Sequence, residues 1–156
     1  MTRAPAAEFV HVFIERDGVG LFLQHRDDIP GIYEPGRLGV FGGHVDPSDQ
    51  SPKSAGIREL AEETNLRVTD LLPLGILHFN DEDLEGKRIV KIVHAFTTVV
   101  SPKLILPVRE GQGGITLRFG EPIPKTPRPT RILIAELATY YSGLFPNIGD
   151  FHETTS

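Results

Sequence analysis

The sequence predicts an α/β domain: one mixed β-sheet covered by two helices. Three observations carry this prediction. Short β-rich runs recur along the chain, a breaker-free helical stretch interrupts them at residues 52–64, and a second helical stretch follows a proline cluster near the end. A chain of 156 residues suits one hydrophobic core, so residues 1–156 read as a single domain.

Each element has a local reason. Phe9 to Ile14 and Val19 to Leu23 are apolar runs joined by Asp17-Gly18, which reads as an opening hairpin. From Arg26 to Leu38, Pro30, Gly31, Pro35 and Gly36 forbid a regular element and imply a long loop, a place where function often resides. Leu38 to Val45 reads as a short strand, broken at Gly42-Gly43. Ser51-Pro52 supplies a cap and a first-turn proline, so a helix is expected from Pro52 to Thr64, with Asn65 at the left-handed stop. Leu71 to Phe79 and Arg88 to Val100 form a second expected hairpin around the acidic segment 80–86. Leu104 to Val108 and Ile115 to Phe119 are expected to add strands, and Thr130 to Tyr141 has apolar residues at helical spacing.

Composition narrows the function. With no cysteine, thiol nucleophiles, zinc–thiolate sites and disulfides are excluded. A net charge of −5 disfavours binding to duplex nucleic acid, which needs a surplus of Lys and Arg. No apolar run approaches the ~20 residues that span a bilayer, and the start lacks a signal-peptide core, so no membrane partner is expected and a cytoplasmic location is.

The helix 52–64 carries the chemistry. On a wheel turning ~100° per residue, Glu59, Glu62 and Glu63 share one face, while Ile57, Leu60, Ala61 and Thr64 share the other. Acids at this spacing repel one another, and near a helix C-terminus the dipole opposes them as well. A divalent cation reverses the sign, because a hard ion wants several oxygen ligands. Ala55 and Gly56, one turn earlier, are expected to leave room for a bulky anion such as phosphate. The alternative is a solvated charged face, with Arg58 pairing Glu62 and Glu63 pairing Arg67.

Context decides between them. Gly42-Gly43-His44-Val45-Asp46, followed by Arg58-Glu59-Leu60-Ala61-Glu62-Glu63-Thr64-Asn65-Leu66, resembles the signature of the Nudix hydrolases, G-x5-E-x7-R-E-U-x-E-E-x-G-U, where U is a bulky aliphatic residue. Gly43, Arg58, Glu59, Leu60, Glu62, Glu63 and Leu66 match it. Two features depart. The loop is one residue longer, leaving Gln50 where the pattern has Glu, with Asp49 beside it, and Asn65 replaces the last Gly. Asn tolerates a left-handed backbone, whereas Gln50 could accept a hydrogen bond from Arg58 only without ionic assistance.

The resemblance implies a Nudix-type α/β/α sandwich and Arg58, Glu59, Glu62 and Glu63 as catalytic residues. It implies Mg²⁺ or Mn²⁺ on Glu59, Glu62 and Glu63, and the Gly42-Gly43 backbone beside a metal-bound diphosphate. Glu110 is a candidate further metal ligand, against the reading of an ordinary turn residue. Arg26 and Tyr33, in or beside the long loop, are candidates for phosphate contact and base stacking, against a plain connecting role shared with Arg37. Asp81, Glu82, Asp83 and Glu85 read as a solvated hairpin tip, and His11, His25, His78 and His94 have no metal-ligand spacing. The implied activity is attack of water on a phosphorus of a nucleoside diphosphate linked to another moiety, with a nucleotide-derived small molecule as partner and, as in many relatives, a homodimer. The rival is a weakened domain that binds a nucleotide as a sensor, motivated by Gln50.

Overall fold

The computed structural model describes residues 4–151; residues 1–3 and 152–156 of the expected domain lie outside the described residues. Strands β1 (Ala6–Arg16) and β2 (Gly20–His25) form the opening hairpin, with Ile14 opposite Phe22. After the long loop come β3 (Leu38–Gly39) and β4 (Phe41–His44), then α1 (Pro52–Thr64), β5 (Leu72–Glu82), β6 (Arg88–Val100), β7 (Gly114–Arg118) and α2 (Arg131–Tyr140). A 3-10 turn, Ile148–Phe151, closes the described chain.

β1 is the spine of the sheet. Its first half pairs antiparallel with β4, its last residues pair antiparallel with β2, and its other edge runs parallel to β6 from Ala6–Val90 to Arg16–Val100. β5 flanks β6, while β3 and β7 pair with β2. The sheet is therefore mixed, as expected. Successive side chains on β1 point to opposite faces, so the sheet separates two cores. Val10, Val12 and Ile14 join Phe41, Ala55, Leu60 and Leu71 on the α1 side. Phe13 joins Leu21, Leu23, Leu133 and Leu137 on the α2 side. The result is an α/β/α sandwich.

The cap signals on α1 act as read. The Ser51 hydroxyl accepts the Ser54 N–H at 3.1 Å, and Asn65, at φ 60°, donates its N–H to the Ala61 carbonyl at 3.0 Å. Three local expectations fail. The strand 38–45 breaks at Val40, not at the glycine pair, because Gly42 and Gly43 stay paired with His11 and Val10. Residues 104–108 form no strand; the Arg16 guanidinium binds the Leu104 carbonyl at 2.6 Å and holds the segment as a loop. Ala55 and Gly56 face the core, not an anion. A Cβ on Gly56 would lie 3.0–3.2 Å from side chains of Leu71, Val10 and Val12, so the small residue lets α1 sit close to β1.

Candidate active site

The C-terminal half of α1 passes beneath β4, and the three acids of its polar face meet three environments. Glu63 is 4% exposed, and its Oε1 accepts the Gly42 N–H at 3.2 Å. The Glu59 carboxylate lies against Gly43, where an added Cβ would stand 2.5 Å from Oε1. Glycine at 43 thus makes the space that this carboxylate occupies. Glu62 is the outlying member, with a side chain 58% exposed and turned to Arg58 at 3.4 Å.

Like charges are relieved differently at each place. Glu59 and Glu63 share a hydrogen bond, and the Glu63 carboxyl is pushed up to about 9, first by burial, then by that bond and the Glu59 charge, with Glu110 adding to the rise. The Gly42 N–H opposes the shift. Among the described residues, no three carboxylates or imidazoles already converge in the arrangement of a cation site. Glu63 has no ion pair with Arg67, so the solvated-face reading does not describe this acid.

Arg58 organises the approach to the helix. Its Nε and Nη2 donate to the two carboxylate oxygens of Asp49 at 3.1 and 3.0 Å, its Nη1 donates to Glu59 at 3.1 Å, and Nη2 reaches the His44 carbonyl at 3.3 Å. Asp49 also accepts the Asp46 N–H at 2.7 Å. Its carboxyl is held below the usual range by Arg58 and then by that amide, while Asp49 in turn holds the guanidinium above its ordinary value. Gln50 is exposed and makes none of these contacts. The extra loop residue therefore brings Asp49 to Arg58, and the forked, charged pair replaces the neutral bond expected from Gln50.

Glu110 is carried to the acids by its loop. The Arg109 N–H donates to the Glu63 carbonyl at 2.9 Å, the Gln24 amide donates to the Glu110 carbonyl at 3.2 Å, and Gln112 N–H donates to the His25 carbonyl at 2.7 Å.

From Glu63 and Glu110 a cleft of about 440 Å³ opens across the α2 side of the sheet. Gly42, Gly43 and His44 form one border, Phe9, His11 and Lys91 the floor, and Arg26, Tyr33 and Leu84 the rim. Arg26 donates from Nε and Nη2 to the Tyr33 carbonyl at 3.1 and 2.7 Å, pinning the long loop on itself. The Tyr33 hydroxyl donates to Asp81 at 2.6 Å and accepts from Arg131 at 3.1 Å. Lys91 Nζ sits 3.5 Å over the Tyr33 ring and 3.2 Å from Asp81. Burial, then the hydrogen bond to Asp81, pushes the Tyr33 hydroxyl well up. Burial on its own would raise Asp81, but bonds from Tyr33, the Glu82 amide and Lys91 win and hold it low.

The acidic segment is thus not simply a solvated tip: Asp81 is a buried partner, and Glu82, Asp83 and Leu84 border the cleft. Lys91, Asp81 and Arg131 were not singled out for the site from sequence, since their contacts with Tyr33 join residues 48 to 98 positions apart. Asp49 had a signal, a carboxylate one place from the motif position.

A sheet between two helices, with an acidic helix face opening on a cleft, is the arrangement that the Nudix resemblance implies. A model of the NUDIX domain matches residues 4–117, and the chain belongs to the Nudix family of hydrolases. Similar solved structures include a MutT protein from Methanosarcina mazei Go1, 19% identical over 99% of this chain and all of that one, with TM-score 0.59. A MutT NUDIX hydrolase from Burkholderia pseudomallei is 22% identical over 86% of this chain and 97% of that one, TM-score 0.59. The NUDIX domain of Shewanella oneidensis NrtR, solved as a complex with ADP ribose, is 19% identical over 76% and 73%, TM-score 0.52. These likenesses are of fold. No curated protein matches the chain. Among the described residues, no helix is long and apolar enough to cross a membrane.

Proposed function

We propose that this hydrolase uses Mg²⁺ or Mn²⁺ to cleave a nucleoside diphosphate linked to another moiety, with water as the nucleophile. The observation that carries the proposal is the Glu59–Glu63 pair against the Gly42-Gly43 backbone, with Glu63 buried and lining a cleft of nucleotide size. The donors are hard oxygens that repel one another, and Gly43 lets the Glu59 carboxylate lie against its backbone beside Glu63, so the residues fit a hard divalent cation. Glu59, Glu62, Glu63 and Glu110 would hold it. When bound, such an ion neutralises diphosphate charge and acidifies a coordinated water.

The chain's own part is positioning. Arg58, gripped by Asp49, fixes the direction of Glu59 and ties the loop after β4 to the helix. The Gly42-Gly43 backbone admits a diphosphate close to the acids. Arg26 and Tyr33 shape the far end of the cleft, where the rest of the substrate would lie. The proposal extends to a cytoplasmic homodimer, which sedimentation of the purified protein and localisation of a tagged copy would read. A panel of nucleoside triphosphates, nucleotide sugars, dinucleoside polyphosphates and ADP-ribose, assayed with Mg²⁺ or Mn²⁺ and product identification, tests the activity. Metal-dependent cleavage at the diphosphate supports it, and a panel left uncut by the chain with either ion overturns it.

A further inference from the structure

We infer that His11 is a specificity-determining residue: oriented by the buried Glu136, it presents its Nε2 edge to the cleft and hydrogen-bonds a polar atom of the bound nucleotide. The inference rests on the reading of the cleft as a nucleotide site.

Glu136 lies on α2 between Leu133 and Leu137, and its side chain is fully buried. Its Oε1 is 2.8 Å from His11 Nδ1, and its Oε2 has no hydrogen-bond partner. The contact fixes the orientation of the ring. With Nδ1 turned to Glu136 and the ring lining the cleft, the Nε2 edge is the one left for a ligand.

The location suits recognition. On β1, His11 stands directly across from Gly42, whose amide caps Glu63, so the ring is one strand away from the acid pair. Phe9, Val93 and Ile132 make the surrounding wall mostly apolar, where one oriented polar edge discriminates strongly. Its partner is a polar atom of the nucleoside or of its phosphate.

Two substitutions separate the roles of the two ring nitrogens. In His11→Gln the amide reaches the place of Nε2 and keeps a polar edge in the cleft; in His11→Asn it reaches only towards Glu136. Affinities are measured by calorimetry with Mg²⁺ for AMP, GMP, CMP and UMP, their nucleosides, and inorganic pyrophosphate. For the tightest monophosphate, His11→Asn should weaken binding about tenfold or more, while His11→Gln stays within about threefold of the parent. A loss shared by the nucleoside assigns the contact to base or sugar, and one shared by pyrophosphate assigns it to phosphate. Either supports the inference.

Should His11→Gln fail to fold, Glu136→Gln takes its place, because its amide can donate to or accept from Nδ1 and so keeps the ring in place; it should also bind within about threefold of the parent. The inference is overturned if His11→Asn binds like the parent, if the variant that keeps the polar edge is as weak as His11→Asn, or if no probe binds. These are binding readouts. A chain that cleaves nothing can still pass them, and an active hydrolase indifferent to His11 sinks only this inference.

Discussion

Two arginines, each surrounded by carboxylates, organise the two ends of the cleft. Arg58 holds Asp49, Glu59 and Glu62, all within nine residues of it in sequence. Arg131 holds Glu34 and Asp81, which lie 97 and 50 residues away. The first network is written by a loop and one turn of helix; the second exists only after the long loop, the β5–β6 hairpin and α2 have been brought together by the fold. The acids proposed for the chemistry are wired locally and the rim proposed for selectivity is wired at long range. The class of reaction can therefore be inherited in a short motif while the substrate changes around it.

If the two ends are separable in this way, removing a charge at the acidic end should cost turnover and little else. Glu63→Gln keeps the shape and the Gly42 contact, so the fold should persist while kcat falls at least about a hundredfold and the melting shift on adding Mg²⁺ shrinks. The buried carboxyl also gives the metal-free protein a pH signature. Its proton is held up to about 9 in the folded chain, against 4.5 when unfolded, so the folded state binds the extra proton between those values. The stabilisation is complete below 4.5 and is lost as pH rises towards 9. Asp49, Asp70 and Asp81, all held low, act with the opposite sign and only in acid. Melting in EDTA should thus decline from pH 5 to 9 with a shallower slope in Glu63→Gln; parallel slopes would contradict the raised carboxyl.

A smaller effect sharpens the local half of the comparison. Asp49→Asn weakens the charged fork on Arg58 without emptying its place, and should lower kcat about ten- to a hundredfold with a modest change in KM. Gln50→Glu adds a carboxylate at an exposed position that Arg58 does not use, and should leave kcat within about twofold. Steady-state kinetics on the two variants decide the matter. A large gain in Gln50→Glu would mean that residue 50, and not Asp49, holds the motif's carboxylate position.

What could be read beforehand follows the same division. The ends of α1, its two-sided face and the left-handed Asn65 were legible because each depends on neighbours within one or two turns. The opening hairpin was legible through Asp17-Gly18 between apolar runs. Gly56 was misread because a helical wheel gives a direction but not what lies there, and the strand β1 reaches that side of the helix. Val40 carried no breaker signal, and residues 104–108 look like a strand but pair with none of the described strands. At the site, Asp49 was one residue from its motif position, whereas Lys91, Asp81, Arg131 and the His11–Glu136 pair needed the sheet to exist first.

The smallest expected effect tests the distant half. Tyr33→Phe keeps the ring under Lys91 and removes only the hydroxyl that joins Asp81 to Arg131. Asp81 retains Lys91 and Arg131, so no buried charge is left alone and stability should fall by only about 1 kcal/mol. The loop 26–37 loses its tie to the hairpin but keeps the Arg26 grip on the Tyr33 carbonyl, so the rim loosens without unfolding. Looser positioning of the substrate's far end should raise KM several-fold, with kcat within about twofold and the Mg²⁺ melting shift unchanged. A fall in kcat as deep as that of Asp49→Asn would mean that the rim reaches the reacting atoms, and the two arginine networks would then have to be treated as one.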